Sequence, residues 1–345
     1  MAIARAQALE MLRSGDLLGV ARQADALRQR LHPGNVVTYQ IDRNINYTNI
    51  CTEYCSFCAF YRSPGSPEGY IQPLDSICRK IEETIALGGT GVLMQGGLHP
   101  DLKIDYYERL LQELKQRYPQ VHLHCFSAPE ILNVAEVSRL GLRETLARLR
   151  AAGLDSIPGG GAEILDDEVR RRIARLKCST EEWLEVHRTA HALGIRTTAT
   201  MMFGCGETFE QRLNHLDRVR RLQEETGGFT AFIPWLFQRA HTSLGNFIKE
   251  EATAADYLKT LAVSRLYLDN IENVQASWLT PGHKICQIAL RFGGNDVGSI
   301  LIEENVVRAA GVTRTSSEEQ LRQMIRDAGF RPVKRDTLYR NYFLN

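Results

Sequence analysis

The chain has 345 residues, of which 42 are Lys or Arg and 41 are Asp or Glu, so its formal net charge is +1. This balance excludes a strong attraction to nucleic acid or to anionic membranes and favours a small-molecule partner. Hydrophobic residues make up 43% of the chain and charged residues 24%, a composition that excludes a disordered chain. Because no apolar run approaches the roughly 20 residues that span a bilayer, we expect a cytoplasmic protein.

In chain order, residues 1–35 are predicted to form a helical segment. Short β-branched runs then alternate with longer segments of helical period, which is typical of βα units and a parallel sheet. The candidate strands are 36–48, 91–95, 121–127, 154–158, 195–203, 229–235, 274–279 and 296–301. The candidate helices are 74–88, 104–117, 134–152, 166–193, 207–225, 252–270 and 282–290.

Eight strands with intervening helices predict an α/β fold of the (β/α)8 TIM-type barrel, rather than an open doubly wound sheet. No linker or low-complexity stretch divides the chain. We therefore expect the helical segment 1–35, one barrel over 36–317 and a C-terminal cap over 318–345. Glycines and polar or aromatic residues such as Gln95, Ser127 and Trp235 lie at the C-terminal ends of candidate strands, which is where barrel enzymes build their sites.

Three of the eight cysteines, Cys51, Cys55 and Cys58, lie within eight residues after the first strand. Because cytoplasmic thiols stay reduced, this spacing indicates an inorganic centre rather than disulfides. A structural zinc site takes four ligands, and we find no second Cys or His pair that completes one. A cubane iron–sulfur cluster on three cysteines instead leaves one iron open to a cofactor or substrate. A zinc site completed by a distant His, or a cluster used only for electron transfer, are the alternatives.

The pattern Cys-x-x-x-Cys-x-x-Cys after the first strand of an α/β barrel, with Phe57 before the last cysteine, resembles the radical S-adenosylmethionine (SAM) superfamily. The resemblance implies a [4Fe–4S] cluster on the three cysteines, with the amino and carboxylate groups of SAM on the open iron. It also implies an electron donor such as flavodoxin or ferredoxin. Reductive cleavage of SAM then releases a 5′-deoxyadenosyl radical that abstracts hydrogen from the substrate.

The same resemblance assigns residues to SAM. Gln95-Gly96-Gly97 matches the glycine pair of the family, where missing side chains let a backbone edge approach the methionine moiety. Ser127 and Glu163 resemble polar contacts to the amino acid and ribose of SAM, and Tyr61 is expected beside adenine. The alternatives are an ordinary tight turn for the glycines and a charge at a helix N-terminus for Glu163.

Longer stretches carry a narrower resemblance. The segments 41–51, 58–62, 159–163, 199–204, 227–235, 275–278, 294–299 and 303–305 resemble cyclic dehypoxanthine futalosine synthases. This resemblance implies a radical SAM oxidative cyclisation of dehypoxanthine futalosine in menaquinone biosynthesis. The radical would abstract the ribose C4′ hydrogen, the sugar radical would attack the adjacent aromatic ring, and an electron and a proton would leave. The chain departs from these relatives at Cys205 and at His241, so the roles of both side chains stay open.

A substrate with a carboxylate, a sugar and an aromatic ring needs a cation, several amides or hydroxyls, and a flat apolar wall. The first strand is polar on both faces, so either face would line the lumen with hydrogen-bonding groups. Candidates for substrate binding are Arg43, Arg62 and Lys284 for the carboxylate, Asn46, Thr48, Thr230, Gln275 and Ser277 for the sugar, Phe232, Trp235 and Trp278 for the ring, and His241. Candidate catalytic bases for the departing proton are His99, Glu303 and Glu304. Core packing of the aromatics and solvated surface charges are the alternatives.

Two sister enzymes, aminofutalosine synthase and the tyrosine-using subunit of deazaflavin (FO) synthase, share the cluster and much of the SAM site. The cysteines therefore do not discriminate among the three, whereas the surroundings of Trp235 and Trp278 favour the cyclase. Biotin synthase is disfavoured because the remaining cysteines are scattered. A non-catalytic electron carrier is disfavoured because it needs neither a polar lumen nor glycine-rich strand ends.

Overall fold

The computed structural model describes residues 3–340, 342 and 343. Its strands are β1 (Val36–Gln40), β2 (Asp42–Ile45), β3 (Gly91–Met94), β4 (His122–Cys125), β5 (Ser156–Ile157), β6 (Arg196–Phe203), β7 (Phe229–Leu236), β8 (Asn273–Val274), β9 (Asp296–Ser299), β10 (Arg331–Arg335) and β11 (Tyr342–Phe343). Its α-helices are α1 (Arg5–Arg13), α2 (Leu17–Leu31), α3 (Leu74–Ala86), α4 (Ile104–Arg117), α5 (Ala128–Ser138), α6 (Leu142–Ala152), α7 (Asp167–Ile173), α8 (Thr180–Ala192), α9 (Phe209–Thr226), α10 (Ala254–Tyr267), α11 (His283–Ala289), α12 (Val306–Ala309) and α13 (Glu318–Asp327).

Strands β2 to β8 form one parallel sheet in chain order. Strand β9 joins the two edges of this sheet, because Gln275 forms a parallel bridge to Asp296 and β9 pairs in parallel with β1. Strands β1 and β2 are consecutive halves of the predicted first strand, separated at Ile41. Counted as one, they complete a ring of eight parallel strands within the described part of the chain, which confirms the predicted TIM-type barrel.

The first strand changes its neighbour at Ile41. Its first half, β1, pairs with β10, and its second half, β2, pairs with β3. The C-terminal segment therefore enters at the N-terminal end of the barrel, where Thr337 Oγ1 lies 2.7 Å from the position that a Cβ on Gly91 would take. Arg335 of β10 forms a buried pair with Asp296 of β9, with N–O distances of 2.6 and 2.9 Å. Residues 331–337 therefore lie at this end of the barrel. The division into a helical segment, a barrel and a C-terminal cap, with boundaries at 35 and 317, stays a prediction.

Two predicted helices are each split in the structure. The segment predicted over 134–152 consists of α5, which begins earlier at Ala128, and α6. Arg139 ends α5 in the left-handed conformation, with φ 56°. The segment predicted over 166–193 consists of α7 and α8, and Ser179 and Glu182 form a capping box at the start of α8. Apolar spacing does not reveal these breaks because the helices on either side bury the same kind of face against the sheet.

Helices pack around the sheet through their apolar faces. In α3, for example, this face includes the buried residues Ile77, Cys78 and Ile81. The N-terminal helices pack on the outside, where Arg5 donates to Asn214 of α9 at 2.6 Å. Among the helices of the described residues, none is long and apolar enough to cross a membrane.

Candidate active site

The three clustered cysteines lie in an irregular loop after β2, at the C-terminal end of the barrel. Cys51 and Cys55 are buried, Cys58 is partly buried, and all three are free thiols. Backbone hydrogen bonds hold the loop from several sides: the Cys51 amide donates to the Arg62 carbonyl at 2.9 Å, and the Ser56 amide donates to the Ile173 carbonyl at 2.9 Å. The loop is therefore a fixed part of the barrel mouth.

The donor set of this loop fits an iron–sulfur cluster. Burial raises the pKa of the Cys51 thiol and raises that of Cys55 to about 12, while the charge of Lys177 opposes both shifts. Iron must therefore displace the protons when it binds. Within the described ranges, no three His, Cys, Asp or Glu side chains are close enough to hold a single metal ion. In a cubane each cysteine binds a different iron, so its thiols do not converge on one point.

A buried cation, Lys177, lies beside the cysteine loop and was not predicted from the sequence. Lys177 Nζ lies 3.2 Å from Glu163 Oε1 and 5.2 Å from the centroid of the Phe57 ring. Burial is the largest influence on the pKa of Lys177 and lowers it, but the charges of Glu163, Cys55 and Cys178 together raise the net pKa above that of an ordinary lysine. Among the described residues, none forms a hydrogen bond with the buried Oε2 atoms of Glu163 and Glu53. Because such atoms are costly to leave unpaired, they suit a ligand with hydrogen-bond donors.

A second buried carboxylate holds Ser127 and the glycine pair. Glu130 Oε1 accepts hydrogen bonds from the Gly96 amide and the Tyr47 hydroxyl, each at 2.8 Å. Its Oε2 accepts from the Ser127 amide at 2.7 Å and from the Ser127 hydroxyl at 2.6 Å. Burial raises the pKa of Glu130, and these four bonds oppose the rise. The sequence carried a signal for this contact, since Ser-x-x-Glu is the capping-box pattern of a helix start.

The glycine pair allows the end of β3 to pack closely on the cysteine loop. A Cβ on Gly97 would lie 2.2 Å from the carbonyl oxygen of Ile50, and a Cβ on Gly96 would lie 2.6 Å from the Tyr47 ring. Neither glycine has a positive φ, so close packing alone requires them. Their approach to the methionine moiety of SAM stays a prediction.

A cavity of about 310 Å³ occupies the lumen of the barrel. Six of the predicted site residues line it: Gln95, Glu163, Trp235, Gln275, Ser277 and Glu304. A small cavity of about 50 Å³ beside Phe57 and Cys58 shares Trp235 with it. The lumen therefore adjoins the cysteine loop.

The three predicted bases differ in position. Glu304 lines the lumen, but its Oε1 accepts from the amides of Val306 and Val307 and its Oε2 accepts from Asn44 at 2.6 Å. Burial raises the pKa of Glu304. The other two bases lie outside the lumen wall: Glu303 forms an ion pair with Lys80, and His99 Nδ1 accepts from the Asp101 amide at 3.1 Å. Burial lowers the pKa of His99.

None of the three cations predicted for the carboxylate belongs to the described lumen wall. Arg43 points outward to Glu83 at 2.7 Å, into a separate open cavity of about 630 Å³. Arg62 lies in the cysteine loop and pairs with Glu68 at 2.6 Å. Lys284 is exposed on α11.

The remaining predicted substrate residues also lie outside the cavity wall. Asn46 and Thr48 are buried and donate to the backbone carbonyls of Gln95 and Tyr70. Thr230 donates to a backbone carbonyl of β6, and His241 is exposed.

Two of the three aromatic candidates pack in the core. Phe232 lies against His215, with 6.0 Å between ring centroids. Trp278 donates from Nε1 to the Ser299 carbonyl at 2.9 Å. Tyr61, predicted beside adenine, lies in the cysteine loop with its ring 5.8 Å from that of Tyr54.

Comparison with known proteins places this site in a family. Residues 45–219 match the radical SAM superfamily, and residues 226–344 match the CofH/MqnC C-terminal region. A cyclic dehypoxanthine futalosine synthase of Halalkalibacterium halodurans is 48% identical over 332 residues, which cover 96% of this chain and 89% of that protein. A 5-amino-6-(D-ribitylamino)uracil--L-tyrosine 4-hydroxyphenyl transferase of Methanothermobacter thermautotrophicus is 44% identical over 331 residues, which cover 94% of this chain and 90% of that protein.

Among solved structures, HydG, a maturase of the [FeFe]-hydrogenase, superposes with a TM-score of 0.77 at 14% identity and covers 98% of this chain and 74% of that chain. At this identity the likeness shows the fold alone. The sequence matches show more: the chain belongs to the radical SAM superfamily and is an enzyme that works with a [4Fe–4S] cluster and SAM.

Proposed function

We propose that the chain catalyses the oxidative cyclisation of dehypoxanthine futalosine to cyclic dehypoxanthine futalosine in menaquinone biosynthesis. SAM bound at a [4Fe–4S] cluster on Cys51, Cys55 and Cys58 would supply, after reduction by a donor such as flavodoxin or ferredoxin, the radical that takes hydrogen from ribose C4′. The observation that carries the proposal is the lumen, which adjoins the cysteine loop and combines one indole ring with amides and hydroxyls. The relative at 48% identity with this activity supports it.

Three side chains of the lumen are available to hold the substrate. Trp235 offers a flat wall for the aromatic ring. No described residue forms a hydrogen bond with the side-chain amide of Gln275 or with the hydroxyl of Ser277, although both residues line the cavity. Because such groups are best satisfied by a ligand, we assign the Ser277 hydroxyl to the sugar of the substrate.

The carboxylate of the substrate needs a different partner from the three predicted cations. Arg335 lines the lumen, but its guanidinium already donates to Asp296, Gln40, Tyr339 and the Asp336 carbonyl. We therefore assign carboxylate binding to neutral donors of the wall, with the Gln275 amide as the first candidate. A buried polar site of this kind orients its ligand through few, fixed contacts.

The experiment is anaerobic reconstitution with iron and sulfide, followed by dithionite, SAM and dehypoxanthine futalosine labelled with deuterium at C4′. We expect a product that lacks one deuterium and one hydrogen of the labelled substrate, and deuterium in 5′-deoxyadenosine. Cys55→Ser should abolish both, whereas Cys78→Ser, a buried cysteine of α3, should not.

Other outcomes would replace the proposal. Turnover of tyrosine with 5-amino-6-(D-ribitylamino)uracil would assign the transferase reaction, and formation of aminofutalosine would assign the synthase that makes it. A reconstituted cluster that yields no 5′-deoxyadenosine with any of these substrates would indicate an electron carrier.

A further inference from the structure

Two histidines and a serine form a continuous hydrogen-bonded chain in the barrel wall. His124 Nδ1 lies 2.6 Å from Ser156 Oγ, and His122 Nε2 lies 2.7 Å from the same oxygen. Both histidines belong to β4, and His124 is in register with Ser156 on β5. Because residues two apart on a strand point to the same face, one hydroxyl bridges the two imidazoles.

One end of this chain reaches the lumen. His124 lines the cavity together with Leu93 and Asn44, which are its register partners on β3 and β2. Nothing in the described part of the chain forms a hydrogen bond with His124 Nε2, and the imidazole is partly accessible from the cavity. Its Nε2 is therefore free to meet a bound substrate.

The other end reaches the charged N-terminal face of the barrel. His122 lies two residues closer to the start of β4 and is surrounded by the charges of Asp155, Lys115, Asp336 and Arg340. Asp155 and Lys115 form an ion pair at 2.5 Å and are both partly exposed to solvent. A proton that reaches His122 can therefore leave to water.

We propose that His124, Ser156 and His122 form a proton relay from the lumen to this face of the barrel. The inference rests on the proposed cyclisation, in which the cyclised ring radical loses one electron and one proton. The ring C–H bond breaks and the proton passes to His124 Nε2, while the electron would go to the oxidised iron–sulfur cluster that Cys51, Cys55 and Cys58 would hold. His124 Nδ1–H then donates to Ser156, the Ser156 proton passes to His122 Nε2, and His122 releases its Nδ1 proton to water.

The surroundings of His124 and His122 keep both imidazoles unprotonated before turnover. Burial, together with the charges of His122 and Arg335, lowers the pKa of His124 to about 3. Burial also lowers the pKa of His122, although Asp155 opposes this shift. Both imidazoles are thus neutral near pH 7. A weak base suffices for this step because an oxidised, non-aromatic ring carbon is a strong acid that regains aromaticity when it loses its proton.

The first test needs neither cofactor nor turnover. Nitrogen-15 NMR of histidine-labelled protein should show neutral His124 and His122 at pH 7, each in the tautomer with hydrogen on Nδ1. Ser156→Ala should shift the signals of both imidazoles, whereas Ser76→Ala on the outer helix α3 should shift neither. Unchanged signals in Ser156→Ala, or protonated imidazoles at pH 7 in the parent protein, would overturn the relay.

The second test follows product and 5′-deoxyadenosine separately. Loss of a proton-transfer group costs about 100-fold or more in rate, so Ser156→Ala should slow product formation while 5′-deoxyadenosine still forms. The ratio of 5′-deoxyadenosine to product should then rise at least tenfold, and added imidazole should restore part of the product formed by His124→Ala. The Ser76→Ala control should keep the parent ratio.

An unchanged ratio in Ser156→Ala, with an unchanged melting temperature, would refute the relay and leave the proposed function standing. If the parent protein fails to cyclise dehypoxanthine futalosine, the proposed function falls, and the NMR result still decides whether the bridge exists.

Discussion

The buried pair of Lys177 and Glu163 gives the sharpest test of the site. Nζ and Oε1 are 3.2 Å apart, and only 11% and 7% of the two side chains are exposed. At an effective dielectric constant of about 20, this distance corresponds to about 5 kcal/mol of attraction. Removing one partner of a buried pair costs about 3–5 kcal/mol because the other charge stays buried. Since Arg170 lies 3.9 Å from the second Glu163 oxygen, we expect Lys177→Met to lose about 3 kcal/mol.

The measurement is urea unfolding of the cluster-free protein under anaerobic conditions. The double variant Lys177→Met/Glu163→Gln leaves no unpaired charge, so it should recover most of the lost free energy of unfolding. Lys249→Met, at an exposed lysine, is the matched control and should change stability by less than about 0.5 kcal/mol. A loss below about 1 kcal/mol in Lys177→Met, or a double variant no more stable than the single one, would refute the reasoning.

The same double variant separates stability from cofactor binding. If Glu163 contacts SAM, its replacement should weaken SAM binding about tenfold, equivalent to about 1.4 kcal/mol, even where stability is recovered. Equilibrium dialysis of the reconstituted protein measures this. An unchanged SAM affinity would show that Glu163 does not contact SAM.

Three further predictions concern the supports of the site. Glu130→Gln replaces one of two acceptor oxygens by a donor that faces other donors, so the free energy of unfolding should fall by about 2–4 kcal/mol in chemical denaturation; a smaller loss would mean that the four bonds contribute little. Gly97→Ala would place a Cβ 2.2 Å from the Ile50 carbonyl oxygen and should impair iron incorporation, whereas Gly141→Ala, with open space around it, should not; equal iron contents would contradict this. His215 is buried, and burial lowers its pKa to about 3 from its ordinary 6.5. The unfolded chain therefore binds more protons, and stability should fall by up to about 1.4 kcal/mol per pH unit as the pH drops from 6.5 towards 3. His215→Asn should flatten that decline in melts recorded against pH, and an unaltered slope would rule out His215 as its source.

Local sequence determined the parts of the site whose residues are neighbours in the chain. The spacing of Cys51, Cys55 and Cys58 places three thiols in one short loop, whatever the rest of the fold does. The alternation of β-branched runs with helical segments likewise predicted the barrel. The capping box of Ser127 and Glu130 was readable in the same way, because a helix start needs its acceptors within three residues.

The sequence does not show which of the two faces of each strand points into the lumen. The first strand is polar on both faces, and only the closed barrel shows that Asn44 faces inward and Arg43 outward. On β7, Trp235 lines the cavity whereas Phe232 lies on the opposite face of the strand and packs in the core. A shift by one residue exchanges the two faces of a strand, so sequence alone does not assign them.

The sequence by itself therefore determined the cysteine loop, the barrel class and the family. Only the tertiary structure decided that β10 pairs with β1, that Lys177 lies beside the cysteine loop, and that Ser156 bridges His122 and His124. The physical reason is that these contacts join elements far apart in the chain. Their partners are selected by the closure of the barrel and by the burial of charge and apolar surface, which no local pattern of residues records.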